Sequence, residues 1–156
     1  MSSEFDLDSP HKKVDLLVIA GEHSGDQHAA AVVKELKLQH PELNICSFGG
    51  RCSSDVGAHL ILDITKFAVV GFAEVVLRCI FFKKLLKKIV AWIEKHKPLV
   101  ICLVDYPGLN LRIARMLFEK QLSAKAGGTI KLFYYISPQV WAWKRERRFE
   151  LEKYVD

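Results

Sequence analysis

Short apolar segments alternate with segments of helical periodicity along almost the whole of this 156-residue chain, and that alternation restricts the fold more than any other feature. The apolar segments predict five strands: Val14–Ala20, Asn44–Phe48, His59–Leu62, Leu99–Val104 and Thr129–Ile136. Apolar residues at helical spacing predict the helices between them: Gln27–Gln39, most of Phe67–Lys97 with a break near Gly71, and Asn110–Gln121. Strands that alternate with helices are typical of βαβ units. We therefore expect an α/β, doubly wound fold with a mainly parallel sheet and helices on both faces.

Composition and charge narrow the class of function. Half of the chain is hydrophobic and 26% is charged, so we predict one folded domain over residues 14–156, after a loose polar leader over residues 1–13. The leader lacks the apolar core of a signal peptide. A net charge of +5 suits nucleic acid, a phosphorylated ligand or an acidic membrane surface. No base-reading motif is present, so nucleic acid is not predicted as a partner.

The cysteines and histidines give no reason to expect a metal. The six histidines do not converge in sequence, and no two cysteines form a Cys-x-x-Cys pair; the cysteines are Cys46, Cys52, Cys79 and Cys102. We predict neither a metal nor a cofactor. Unpaired thiols of this kind favour a reducing cytoplasm.

The first motif, Gly21–Asp26 (GEHSGD), follows the first predicted strand. Its glycines, Gly25 among them, let backbone N–H groups approach a ligand, and a helix N-terminus just after them favours anions. Glu22 and Asp26 bring carboxylates to the same place, and Ser24 adds a hydroxyl. The alternative is an ordinary strand-to-helix turn in which Ser24 or Asp26 caps the helix.

The second motif, Asp105–Asn110 (DYPGLN), follows the strand Leu99–Val104. An aspartate at the end of an apolar strand is half buried, an environment that suits a general base, so Asp105 is a catalytic candidate. The alternative is a turn built on Pro107 and Gly108, with Asn110 as a helix cap.

The third motif, Tyr135–Trp143 (YISPQVWAW), gathers aromatic side chains at the end of the last predicted strand. Aromatic faces suit stacking on a sugar or covering an acyl chain, so Trp141 and Trp143, with Ser137, are binding candidates. The alternatives are that the aromatic residues belong to an ordinary core and that the basic residues after them form a solvated helix face.

The segment Phe67–Lys97 begins with an apolar part that is too short and too charged to span a bilayer. Its second part has an apolar face and a lysine-rich face, so it either lies in a membrane interface or packs on the sheet. The excess of Phe and Val before it favours some contact with lipid. The candidates for acyl or membrane contact are Phe67, Val70, Phe72, Phe81 and Phe82.

Together these motifs resemble the lipid A disaccharide synthase family of inverting glycosyltransferases, over roughly residues 15 to 156. The matching segments are Ala20–Asp26, Gly49–Gly50, Val70–Val75, Asp105–Asn110 and Tyr135–Trp143. The resemblance implies a Rossmann-like domain, the amino-terminal and acceptor-binding half of a GT-B fold. It also implies that the last strand of this domain and the donor domain lie beyond Asp156, and hence no turnover by this chain alone.

The resemblance further implies a reaction and a site. A UDP-linked 2,3-diacylglucosamine donor transfers its sugar to the 6-hydroxyl of 2,3-diacylglucosamine 1-phosphate, and UDP leaves. Members are peripheral proteins on the cytoplasmic face of the inner membrane, and a homodimer of the full-length form is a further expectation. The acceptor-binding residues implied are Ser24, Gly25, Gly71, Glu74, Asn110, Ser137, Trp141 and Trp143.

The identity of the base is the point at which this chain departs from the family. Some members carry a catalytic Asp where Gly108 stands here, so the base implied is another carboxylate: Asp105, Asp26 or Glu22, in that order. Two alternatives of other classes remain: a non-catalytic lipid- or anion-binding module, and a flavodoxin-like domain that binds a nucleotide at Gly21–Asp26.

Overall fold

The computed structural model describes residues 7–10, 12–67, 75–136 and 147–156, and of residues 75–79 it describes the backbone alone. Within these residues there are five strands: β1 Leu16–Ala20, β2 Ile45–Gly49, β3 His59–Asp63, β4 Val100–Val104 and β5 Lys131–Tyr135. The α-helices are α1 His23–Gln39, α2 Arg51–Asp55, α3 Val75–His96, α4 Pro107–Glu119 and α5 Arg147–Tyr154. Single 3-10 turns lie at Thr65–Phe67 and Ala124–Ala126.

The sheet is parallel throughout and has the order β3-β2-β1-β4-β5. The chain builds outward from β1 to β3, then crosses to the other side of β1 and builds outward again through β4 and β5. This order confirms the Rossmann-like, doubly wound fold. A flavodoxin-like sheet would have the order 2-1-3-4-5, so the flavodoxin-like alternative does not match this fold.

Alternating residues of the central strands feed two separate apolar layers. On one face, Leu17 and Ile19 of β1 pack with α3 and α4. On the other face, Leu16 and Val18 pack with Ala29 and other residues of α1. Because β1 is buried on both faces, it reads in the sequence as a continuous apolar run rather than as an alternating one.

Two helices begin earlier than the sequence predicts. Helix α1 begins at His23, not at Gln27, so most of the motif predicted as a polar turn is helical. Helix α4 begins at Pro107, where the fixed φ of proline suits the first helical position. Both shifts move motif residues from a loop onto a helix N-terminus. Helix α2 was not predicted, because it has only one turn.

The apolar face of α3 packs on the sheet. For the central part of this helix, the sheet and not a membrane interface is therefore the partner. Leu85, Leu86, Ile89 and Ile93 are all buried in the layer that contains β1 and β4. Within the described residues, no helix has both the length and the apolar character needed to cross a bilayer.

The segment that precedes β1 contacts the domain where it is described. The Trp92 indole donates a hydrogen bond to the Asp8 carbonyl at 3.0 Å, and His59 Nε2 lies 2.9 Å from Asp8 Oδ2. The Asn44 amide also donates to the carbonyls of Lys12 and Lys13.

Candidate functional site

The candidate site lies where the strand order reverses, between β1 and β4. Ala20 and Val104 are paired in the sheet, so Gly21 and Asp105 leave its carboxyl edge side by side. Helices α1 and α4 begin just beyond this edge. In open α/β sheets, ligands bind in the crevice at such a reversal.

Asp105 occupies a strained turn at this edge. Asp105 and Tyr106 both have left-handed backbones, with φ of 47° and 39°. A non-glycine residue in this region costs on the order of 1–3 kcal/mol and persists only where its surroundings hold it there. The Asp105 N–H donates to the Tyr135 carbonyl at 3.0 Å, which ties the turn to the end of β5.

Two side chains hold the Asp105 carbonyl. The Tyr134 hydroxyl donates to it at 2.6 Å, and Asn110 Nδ2 donates to it at 2.8 Å. Asn110 Nδ2 also donates to the Val104 carbonyl at 3.1 Å. Burial, and then the charge of Asp105, raises the pKa of Tyr134, so its hydroxyl stays protonated as a donor. Asp105 itself remains half buried, and its backbone is held by β5, through Tyr134 and Tyr135, and by Asn110 of α4.

The Asn110 side chain therefore binds the backbone carbonyls at the end of β4 and does not cap α4. The N-cap position belongs to Tyr106, whose carbonyl accepts hydrogen bonds from the N–H groups of Leu109 and Asn110, both at 3.1 Å. Asn110 is fully buried, and its Oδ1 has no hydrogen-bond partner in the part of the chain that the structure describes.

Asp26 is fully buried and faces α2, on the other side of β1 from Asp105. Its Oδ2 accepts a hydrogen bond from the Cys52 N–H at 2.8 Å, and its Oδ1 accepts one from the Ser53 hydroxyl at 2.6 Å. The Ser53 N–H lies 3.4 Å from Oδ1. A carboxylate that accepts these bonds satisfies the N-terminal N–H groups of α2. The contacts favour a structural role for Asp26 over a role as a base.

The Gly49–Gly50 pair belongs to the same arrangement. A Cβ on Gly49 would lie 2.9 Å from Asp26 Oδ1, and a Cβ on Gly50 would lie 2.6 Å from Asp26 Oδ2. Only residues without a side chain let the backbone pass this close to the carboxylate.

The remaining residues of the first motif lie at the N-terminus of α1. Glu22 is the N-cap residue and is partly exposed, Ser24 is exposed, and Gly25 is buried. The side chain of Glu22 makes no capping hydrogen bond, and Ser24 and Asp26 lie inside the helix, so neither of these two residues is its cap. Of the three carboxylates predicted as catalytic, Asp105 and Glu22 follow adjacent strands, whereas Asp26 faces away.

An apolar cavity of about 140 Å³ opens beside this edge. Of the described residues, Gly21 and Tyr106 line the cavity together with six apolar residues: Ile64, Phe67, Phe81, Phe82, Leu85 and Leu109. The rings of Phe67 and Phe81 meet edge to face, with centroids 4.9 Å apart. Three of the residues predicted to contact acyl chains thus lie on one cavity.

Seven further residues named from the sequence lie outside the described residues. Those of the acyl and acceptor predictions near α3 are Val70, Gly71, Phe72 and Glu74, and those of the third motif are Ser137, Trp141 and Trp143.

Sequence reasoning missed Tyr134 and the cavity-lining position of Tyr106. Alternation along β5 carried a signal for the first, because Leu132 is buried and Tyr134 half buried on one face, whereas Phe133 and Tyr135 are exposed on the other. No local signal places the Tyr106 ring, which depends on a long-range contact with Gly21. The part of the chain that the structure describes contains no group of three His, Cys, Asp or Glu side chains arranged to hold a metal ion.

Comparison with known proteins assigns the family. The profile of the family described as lipid-A-disaccharide synthetase matches residues 16–156. The chain belongs to this family. It is similar to lipid-A-disaccharide synthase 1 of Legionella pneumophila strain Philadelphia 1, with 42% identity over 141 residues. Lipid-A-disaccharide synthases of Myxococcus xanthus and Coxiella burnetii are 38% and 35% identical over the same length. In each case the match covers 90% of this chain and 35% of the relative.

Proposed function

We propose that this chain is the acceptor-binding part of a glycosyltransferase of lipid A biosynthesis. The reaction transfers 2,3-diacylglucosamine from its UDP donor to the 6-hydroxyl of 2,3-diacylglucosamine 1-phosphate. The lipid-A-disaccharide synthetase family match carries this proposal, and the apolar cavity beside Asp105 supports it. Because the chain spans about 35% of the length of the relatives that it matches, the activity of the whole protein is part of the proposal.

In this proposal Asp105 is the general base. The acceptor 6-hydroxyl attacks the anomeric carbon of the donor, the bond from that carbon to the UDP oxygen breaks, and Asp105 takes the hydroxyl proton. A positioned base of this kind contributes roughly 10²–10⁴-fold to a rate. The turn that fixes Asp105 supports this choice, because a base must be held within hydrogen-bond reach of its proton. Glu22 at the adjacent strand end is the second candidate.

We further propose that the acceptor lies across the ends of β1 and β4, with one acyl chain in the apolar cavity. Phe67, Phe81 and Phe82 would then contact the chain, while Ser24 and Gly25 at the start of α1 lie near the sugar. Gly71, Glu74, Ser137, Trp141 and Trp143 stay in the proposal as acceptor-binding residues, and Val70 and Phe72 stay as acyl contacts, on the basis of the family motifs alone.

We propose that α3 contacts an anionic membrane surface. The protein would then be peripheral on the cytoplasmic face of the inner membrane. Lys83, Lys84 and Lys87 are exposed on this helix, and Ile80, in its second turn, is 51% exposed. Since the large apolar residues from Leu85 onward are buried, the contact would use the lysines and Ile80.

Calorimetric titration of this chain tests the proposal. The probes are 2,3-diacylglucosamine 1-phosphate, the same sugar phosphate without acyl chains, a free fatty acid of the same length, and UDP. We expect the diacylated sugar phosphate to bind most tightly. If UDP binds and the other three probes do not, the result would support a nucleotide-binding domain instead. Equal binding of the fatty acid and the diacylated sugar would support a lipid-binding module without a sugar site.

A further inference from the structure

We propose that Tyr106 sets the length of the acyl chain that the apolar cavity accepts. This inference rests on the proposed function, because it takes the cavity to hold an acyl chain of the acceptor. It concerns a specificity-determining side chain, which acts by occupying space rather than by contact with the reacting atoms.

The Tyr106 ring lines the cavity beside Gly21, at the carboxyl edge of the sheet. It lies so close to Gly21 that a Cβ on Gly21 would overlap the ring, at 2.9 Å from Cε1 and 3.1 Å from Cγ. Gly21 and Tyr106 both line the cavity, so the ring leaves no passage between them for a chain to continue. The absence of a side chain at Gly21 is what lets the ring take this position.

The backbone that carries the ring is held on both sides. The carbonyl of the preceding residue, Asp105, accepts hydrogen bonds from Tyr134 and Asn110. The carbonyl of Tyr106 itself accepts the first hydrogen bonds of α4, from Leu109 and Asn110. With φ of 39° and ψ of 64° fixed in this way, the ring can move by side-chain rotation alone. A wall that can move only by rotation of one side chain should give a sharper limit on length than a wall whose backbone also moves.

The other described walls of the cavity are apolar, so they favour methylene groups without selecting a length. Phe67 and Phe81 contact each other edge to face, and Leu85 belongs to the packed core of the domain. An acyl chain that enters along these apolar residues would end at Tyr106. The limit on chain length therefore depends on one side chain, and changing that side chain should shift the limit.

Four variants test this limit. Tyr106→Gly removes the ring, and glycine adopts the left-handed backbone without strain, which protects the fold. Tyr106→Phe keeps the ring. Gly21→Ala adds a Cβ that overlaps the Tyr106 ring and so displaces it. Phe149→Ala is the matched control, because Phe149 is an exposed aromatic residue on α5, remote from the cavity lining. Thermal melts establish that each variant is folded.

The measurement is the affinity of each variant for 2,3-diacylglucosamine 1-phosphates of graded acyl length. We expect the affinity of the unaltered protein to rise with acyl length and to stop rising at one length. In Tyr106→Phe and Phe149→Ala the affinity should stop rising at that same length. In Tyr106→Gly the rise should continue by about fourfold for each further methylene, the equivalent of about 0.8 kcal/mol per buried methylene. In Gly21→Ala the displaced ring should make the rise stop at a different length from that of the unaltered protein.

Two outcomes overturn the inference and separate it from the proposed function. If the unaltered chain binds the acylated probes but Tyr106→Gly keeps the same length limit, Tyr106 does not set the limit and the proposed function stands. If the unaltered chain binds no acylated probe at any length, the proposed function fails, and the role of Tyr106 fails with it.

Discussion

At the scale of single residues, the two aspartates of the first two motifs have different surroundings. Asp26 is fully buried and accepts hydrogen bonds from Cys52 and Ser53. Asp105 is half buried, and the described residues that hold it bond to its backbone. The sequence shows two acidic residues after two apolar strands, so it ranks both as possible bases. The distinction depends on a contact across 26–27 residues of sequence, which no local pattern reveals.

Asp26→Asn tests the structural role of Asp26. The amide replaces one acceptor oxygen with a donor that faces other donors, so the free energy of unfolding should fall by about 2–3 kcal/mol. Chemical denaturation measures this loss. Glu22→Gln is the matched control at the exposed start of the same helix, and it should change stability by less than about 0.5 kcal/mol. A stable Asp26→Asn variant that loses turnover when this chain is joined to the remaining part of the Legionella pneumophila relative would instead assign the base role to Asp26.

Asp63 gives a prediction for how the stability of the fold depends on pH. Its Oδ1 accepts hydrogen bonds from the Thr65 N–H at 3.2 Å and the Thr65 hydroxyl at 2.7 Å, which begins the 3-10 turn that carries Phe67 to the cavity. Burial alone would raise the pKa of Asp63, but the bonds from Thr65 and the nearby Lys66 ammonium outweigh it and lower the pKa below 3.8. A lowered pKa in the folded state stabilises the fold above the unfolded pKa, and the stabilisation is lost as pH falls through the folded value.

Urea unfolding of Asp63→Asn at two pH values measures this contribution. The difference in unfolding free energy between the unaltered chain and Asp63→Asn should be larger at about pH 7 than at about pH 3. Thr65→Val removes the hydroxyl donor alone and should reduce the same pH-dependent component. A difference that stays constant, or that grows toward acid, would contradict the assignment.

At the scale of elements, the pattern of the sequence predicts which segments are strands and helices better than it predicts where they begin. Strands β1 and β4 are apolar throughout, so their position follows from hydrophobicity alone. The start of α1 is hidden, because a glycine and several polar residues in its first turn have the composition of a loop. The amphipathic pattern of α3 predicts the helix, but it does not distinguish a sheet from a membrane as the partner of its apolar face.

The lysines of α3 give the element-scale prediction. Replacing Lys83, Lys84 and Lys87 with Gln should lower binding to anionic lipid vesicles by roughly 100-fold, since each lysine near such a surface contributes about 1 kcal/mol. Vesicle sedimentation measures the partition. The matched control replaces three exposed lysines outside α3: Lys12, Lys34 and Lys125. If both triple variants lose affinity equally, net charge rather than α3 governs the contact.

At the scale of the whole molecule, the order of the strands brings the parts of the site together. Reversal of the order between β1 and β4 places Gly21 and Asp105 at one edge, although 84 positions separate them in sequence. The alternation of strands and helices predicts this parallel architecture, and the rule for such sheets predicts the edge at which ligands bind. The Tyr134 and Asn110 contacts and the ring of Tyr106 could not be predicted, because they depend on the exact packing of β5 and α4 against that edge.

The role of Asp105 as the base is tested most directly by turnover of Asp105→Asn in a chimera that joins this chain to the remaining part of the Legionella pneumophila relative. Asparagine has the same shape as aspartate and tolerates the left-handed backbone, so the fold and acceptor binding should be kept. We expect release of UDP to slow by roughly 10²–10⁴-fold relative to the unaltered chimera. Turnover within about twofold of the unaltered chimera would contradict the role of Asp105, since loss of a general base costs at least about 10²-fold.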